Sequence, residues 1–310
     1  MVYGICKLTG NSGEFVESHL TPKALTRPTI AGDRFISGGQ GNLPKKSWSS
    51  WYDANLVIKK GELILAEYDN WAIRELRRFQ LVWSGWRNKT SMPVETWFGS
   101  EAEGFGLREV QCTNPSKLRL FFLSLLWRAA ATSRPEFSDV NLAPGELEVL
   151  RTMVRDGNPR PLDFYPTTLL QIVTRGESHN LGPFVQNFSS DMEPLLQKAE
   201  DESASIPKIL AFRTYRFYFD GLIAHMHFDI HEKLQYERLG PLFVGFGPIL
   251  RVQTQTWEHS FQLYNMVRHL QESAAWWPQQ IGRLTGTPQE DLRRLVTTPH
   301  REIIRARFTK

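Results

Sequence analysis

The side chains best suited to chemistry lie early in the chain. Ser18-His19-Leu20-Thr21-Pro22-Lys23 sets an imidazole three residues before a proline, and Asp53-Ala54-Asn55-Leu56 and Asp69-Asn70 follow. An imidazole can take the proton from an attacking water, an amide can orient the ring, and a carboxylate or amide on a helix can ligate a divalent cation. A second grouping is Ala224-His225-Met226-His227-Phe228-Asp229-Ile230-His231. Positions i and i+2 of a strand share a face, so His225 and His227 could grip a metal, with His231, Asp229 or Glu258-His259 completing the set. No spacing fixes a third donor, and the preferred reading of this pair is packing and hydrogen bonding among strand aromatics. Gly38-Gly39-Gln40-Gly41 lacks the Lys-Ser/Thr of a phosphate loop, so nucleotide binding has no support.

These residues need elements to hold them. Residues 1–90 read as strand, loop, strand, helix. Phe15-Val16 leads into His19, 31–46 reads as a flexible loop with a basic end, and Tyr52–Val57 leads through Lys59-Lys60-Gly61 into a helix from about Glu62 to Phe79. Leu65, Asp69, Ala72, Leu76 and Phe79 share one helix face, and Arg74, Arg77 and Arg78 fall largely off it. Residues 91–114 show no period and read as a connector. Asn114-Pro115-Ser116 caps a helix that is apolar almost all round, a second helix ends at Gly157, and residues 158–194 read as loops with short strands. Residues 208–230 read as a hairpin turning at Asp220-Gly221, 242–257 as another strand pair, and 258–274 and 288–296 as helices. The class is α+β: a small N-terminal β-hairpin–helix module (1–90), the connector (91–114), and a larger mixed helix and antiparallel-strand domain (115–310).

The first ninety residues resemble a degenerate HNH (ββα-metal, treble-clef-like) endonuclease module. Glu17-Ser18-His19-Leu20-Thr21-Pro22-Lys23 matches its His-x-x-Pro element and Asp53-Ala54-Asn55-Leu56 its orienting-Asn element. Cys6-Lys7-Leu8-Thr9-Gly10 stands at its first cysteine pair, and Ala66 and Asp69 stand at its second. The resemblance implies His19 as general base, Asn55 as its orienter, and His19, Asp69 and Asn70 as ligands of Mg²⁺ or Mn²⁺. It implies DNA as partner, with Lys45, Lys46, Arg74, Arg77 and Arg78 on the phosphates, and a setting in bacterial or phage conflict systems. Two departures stand out. Ser18 replaces an acid that often ligates the metal, and Cys6 alone survives of four zinc thiolates. Thr9, Ala66 and Asp69 cannot complete a tetrahedral structural zinc site, so none is expected; Trp48, Trp51 and Trp71 are the candidates to fill its place. The alternative is a non-enzymatic interaction protein on the same scaffold, binding a protein partner through its second domain.

Charge agrees with a polyanion-facing N-terminal module without requiring one. Of 310 residues carrying net charge +4, residues 1–90 hold 13 Lys/Arg against 8 Asp/Glu, the remainder 24 against 25, and 281–310 are basic again. No apolar run is long enough for a transmembrane helix and no signal-peptide layout opens the chain. Two cysteines make no disulfide framework, so residence in the cytoplasm is the expectation.

Overall fold

A computed structural model describes residues 2–26, 35–39, 42–47, 50–92, 96–97, 104–177, 179–187, 213–228 and 240–266; of 35–39, 42–47 and 96–97 it describes the backbone alone. The N-terminal part is a three-stranded antiparallel sheet with a helix. β1 (Tyr3–Ile5) pairs with β2 (Ser12–His19), which pairs with β5 (Tyr52–Ile58), and α1 (Lys59–Arg78) comes directly after. α1 forms where the 3.6-residue apolar period runs, burying Leu65, Tyr68, Ala72 and Leu76. Glu62 in its first turn and Arg77 and Arg78 in its last complement the helix dipole.

Between β2 and β5 the expected flexible loop is a hairpin, β3 (Phe35–Gly39) with β4 (Asn42–Ser47). β3 also runs parallel to β9 (His179–Leu181), a pairing across more than 140 residues that no local pattern announces. The expected connector likewise supplies strands, β6 (Thr96–Trp97) and β7 (Phe105–Gln111). They complete a seven-stranded sheet of order β10-β11-β12-β8-β13-β7-β6, whose other members are β8 (Thr167–Ile172), β10 (Phe184–Asn187), β11 (Arg213–Phe219), β12 (Leu222–His227) and β13 (Ile249–Gln255). β8 and β13 pair parallel and the rest antiparallel. The β11–β12 hairpin turns at Asp220-Gly221 as expected, with φ of 53° and 79°, the double positive φ of a tight hairpin. Where 242–257 read as a strand pair there is one strand, β13, preceded by a 3-10 turn at Gly240–Leu242. The helix expected from 258 begins at 261 and is described to 266; the 288–296 expectation lies outside the described residues.

α2 (Pro115–Ala131) is buried almost all round, as its composition requires. Asn114 caps it, its side chain accepting from the Lys117 backbone N–H at 2.9 Å. α2 touches α1 on one side and α3 (Pro144–Asp156) on the other, and sets Phe121 and Phe122 against Phe219 of β11. α3 ends on left-handed Gly157, and the Tyr68 hydroxyl of α1 donates to its Val154 carbonyl at 2.9 Å. One apolar cluster runs from Cys6, Leu20, Leu56 and Leu65 through α2 to Leu169, Phe217, Met226 and Val252. Among the described residues no helix is long and apolar enough to cross a membrane.

One contact fixes how α1 begins. A Cβ built on Gly61 would lie 2.8 Å from the Cys6 sulfur and 3.0 Å from the Val57 Cβ. Gly61→Ala should therefore lower stability by about 1 kcal/mol, since an overpacking cost of about 1–3 kcal/mol outweighs alanine's helix propensity of about 1 kcal/mol. Adding Cys6→Ala removes the obstructing thiol, and chemical denaturation of the double variant should recover the loss. Equal midpoints for wild type and Gly61→Ala would show that the turn simply yields.

Candidate functional site

His19 ends β2 and pairs with Tyr52 of β5, while Ser18 beside it pairs with Asp53. The two strands do not run in step. Between the paired positions one residue of β2 (Glu17) faces three of β5 (Ala54, Asn55 and Leu56), so β5 bulges there, with Ala54 and Asn55 exposed. The bulge is held by Asp53, whose carboxylate accepts from the Asn55 backbone N–H at 2.8 Å and from the Thr132 hydroxyl at 2.6 Å. Asn55 thus lies three residues along β5 from the partner of His19, about 10 Å at strand rise. Among the described residues no hydrogen bond joins its side chain to the imidazole.

His19 is half-buried. Burial lowers the pKa of its ring, Lys23 and Arg128 lower it further, and Glu17 and Asp69 act the other way, so the ring is neutral at pH 7. Asp69 is within its electrostatic reach, but that carboxylate is taken. Arg128 of α2 donates to both Asp69 oxygens, at 2.5 and 3.0 Å, and also to the His19 carbonyl at 3.1 Å and the Ser124 hydroxyl at 3.0 Å. Asn70, one residue on, is turned about 100° round the helix and exposed. Glu62, in the first turn of α1, faces Ser18 and Asp69. Burial raises its pKa, against the opposing pull of Ser18 and Arg128.

This donor set does not suit a divalent cation. A guanidinium already occupies the point where the Asp69 carboxylate and the backbone of His19 meet, and Asn70 points away from it. Among the described residues no group of three His, Cys, Asp or Glu side chains could hold a metal ion. At Cys6 the Thr9 backbone N–H points at the sulfur at 3.4 Å, and Gly10 has φ of 72°. The helix residue that meets this sulfur is Gly61, not Ala66 or Asp69. The space is filled by Val57 and Gly61 rather than by tryptophan. Trp51 packs on Phe137 instead, and Trp48 lies outside the described residues.

The basic residues fall into two groups. Lys45 and Lys46 have their backbone in β4, and their side chains lie outside the described residues. Arg74 is exposed on α1. Arg77 donates to the Ser84 hydroxyl at 3.0 Å and the Ala24 carbonyl at 2.9 Å, and Arg78 pairs with Glu75 at 2.9 Å and lies over the Phe79 ring. Arg77 and Arg78 line an open cleft of about 690 Å³ at the C-terminal end of α1, together with Arg87, Lys89 and Trp86; no carboxylate lines it. Its far wall is braced from the large sheet. Arg175 donates to the carbonyls of Trp83 and Arg87 at 3.1 and 2.8 Å, and the Asp220 carboxylate accepts from the Ser84 N–H at 3.0 Å.

Reasoning from sequence missed Glu62, Arg128, Arg87 and Lys89. Arg87 and Lys89 contribute to the basic excess of the first ninety residues, the one signal that could have found them. Arg128 sits within an apolar helix run, where a lone cation asks for a partner. His225 and His227 are both buried on one sheet face, with His227 Nε2 2.9 Å from the Thr168 hydroxyl, and His259 instead meets Thr256.

No family model matches the chain, and neither a curated protein nor a solved structure does.

Proposed function

We propose that this chain is a nuclease-derived nucleic-acid-binding protein that holds DNA without cutting it through a metal. The observation that carries the reading is the cleft of Arg77, Arg78, Arg87 and Lys89, with no carboxylate among its lining residues. Among the described residues Arg77, Arg87 and Lys89 carry charge with no paired carboxylate and Arg78 shares its own with Glu75, so the cleft attracts a phosphate backbone, while Trp86 is buried beneath it and packs the wall. The retained hairpin and helix, with His19 at the strand end and a turn at Cys6, support descent from an HNH-like scaffold. Arg128 replaces the cation such a scaffold would bind, neutralising Asp69 from within the chain.

Fluorescence-anisotropy titration of a labelled duplex and of a single strand tests this directly. Binding should weaken as salt rises, with a log–log slope of about −3 to −4 on duplex if all four cations contact phosphates. Arg87→Glu with Lys89→Glu, both exposed, should reduce affinity at least tenfold. Plasmid should stay intact with Mg²⁺ or Mn²⁺, and His19→Ala should leave binding unchanged. Salt-independent binding, or full affinity in the double variant, would overturn the assignment to this cleft.

A further inference from the structure

One face of the seven-stranded sheet packs on the main core; the other holds the second apolar cluster, with Tyr218, Ile223 and Ile172, at one end and a polar patch at the other. Tyr215, Phe217, Ala224, Met226 and Val252 join the core that includes α2. The register places Thr214, Arg216, His225 and His227 on the opposite face, with Gln186 beside Thr214 and Phe184 beside Arg216. A patch that polar is normally wet, yet Arg216 is 2% exposed, Thr214 0% and Gln186 3%. Gln262 and Asn265, three residues apart in the helical segment 261–266, are buried as well, and Gln262 reaches Arg216.

Among the described residues three arginines are almost wholly buried, and two of them hold several acceptors. Arg119 donates to the carbonyls of Pro159, Pro161, Phe164 and Tyr165. Arg128 has Asp69, a carbonyl and a hydroxyl. Arg216 has one amide oxygen, that of Gln262, and the Phe184 ring face 5.5 Å from its guanidinium. No carboxylate among the described residues pairs with it. A chain of hydrogen bonds fixes which end of Gln262 it meets. The Glu177 carbonyl, 2.7 Å from His179 Nδ1, can only accept, so Nδ1 carries the proton and Nε2 accepts from the Gln262 amide N–H at 2.7 Å. That leaves the Gln262 oxygen for the guanidinium. His179 is itself wedged against Tyr218, with rings stacked 4.3 Å apart. Among the described residues the Thr214 hydroxyl, the Gln186 amide oxygen and both polar atoms of Asn265, one helical turn from Gln262, are buried with no hydrogen-bond partner. Each such group costs about 1–3 kcal/mol, and a buried unpaired cation more. Of these the Thr214 hydroxyl and the Asn265 amide N–H can donate, and two unmet donors beside a guanidinium that lacks a carboxylate are what an anion site looks like without its anion.

We propose that this face binds a small oxyanion, a phosphate or carboxylate group, on the free N–H groups of Arg216, with Thr214 and Asn265 donating to its remaining oxygens. The site is separate from the cationic cleft and does not rest on the nucleic-acid reading. Thermal melting of the full chain tests it, with inorganic phosphate and acetate each compared with chloride at matched ionic strength. Either oxyanion at tens of millimolar should raise the midpoint by about 2–4 °C over the chloride control. Whichever does so identifies the headgroup. Arg216→Met, close in volume, should melt no lower than wild type in chloride and show no oxyanion shift. Should Arg216→Met not fold, Thr214→Val and Asn265→Leu should each shrink the shift. Arg87→Glu with Lys89→Glu should leave it intact. Identical midpoints in all three salts, or a shift that survives Arg216→Met but vanishes in the cleft variant, would overturn the proposal.

Discussion

Exchanging Arg128 for methionine should destabilise the protein by about 3–5 kcal/mol, the largest effect expected of any single substitution at the candidate site. The side chain is 1% exposed and its partner Asp69 17%. Methionine fills much of the volume but leaves the Asp69 carboxylate without its counter-ion, next to Glu62, and removes the donors to the His19 carbonyl and the Ser124 hydroxyl. Arg128→Lys should rescue little, because a single ammonium cannot reproduce the two-pronged contact with both Asp69 oxygens. In the methionine background Asp69→Asn should recover part of the loss, since it removes the stranded charge. Urea midpoints for the four proteins decide the matter. A loss below about 1 kcal/mol for Arg128→Met would mean that Arg128 is not what closes the site.

The second large effect is on pH. Burial holds His179 at about 3 and His227 at about 4, and holds His225 well below the ordinary histidine range; Arg216 adds to the first and third. A depressed folded-state pKa gives stability that is present above the unfolded value of 6.5 and is lost as pH falls toward the folded one. Between pH 6.5 and 5 each such histidine therefore costs about 2 kcal/mol. Asp220 works the other way. Burial pushes its carboxyl up to about 7, so its contribution is complete below 3.8 and is lost as pH rises through 7. Over the same window it gains about 2 kcal/mol. The net from His179, His227 and Asp220 is a loss of about 2 kcal/mol by pH 5, and His225 adds to it. Asp220→Asn removes the opposing gain, so guanidinium unfolding at pH 7 and pH 5 should show a steeper acid loss, about 4 kcal/mol. Stability that holds or rises toward pH 5 in that variant would refute the account.

Sequence and structure agree where the controlling interactions are local. The period of Leu65, Ala72 and Leu76, the Asn114 cap, the Gly157 stop and the Asp220-Gly221 turn each depend on neighbours within a few residues, and each element formed where expected. Agreement fails where long-range pairing decides. β3 meets β9 across more than 140 residues, and β7 becomes a strand because β13 lies beside it, not through any alternation of its own. The candidate site divides in the same way. His19 at a strand end and Asp69 on the inner flank of α1 follow from pattern. The guanidinium between them comes from another helix, 59 residues past Asp69, and turns a supposed ligand into one half of an ion pair. The displacement of Asn55 has a local cause, the Asp53-held bulge, which a strict two-residue period cannot foresee.

The N-terminal hairpin and α1 are tied to α2 and α3 at several points. Lys7 donates to the Ala131 carbonyl at 2.7 Å, Arg151 to the Leu8 carbonyl at 2.8 Å, and Tyr68 to the Val154 carbonyl at 2.9 Å, all over one unbroken apolar interior. A module can travel between proteins as a portable cassette only when it carries its own interior, and in this chain that interior is jointly owned. On the proposed descent, the cassette has become a non-transferable part of its host, and the gripping surface at the end of α1 inherits its rigidity from a sheet encoded more than eighty residues downstream.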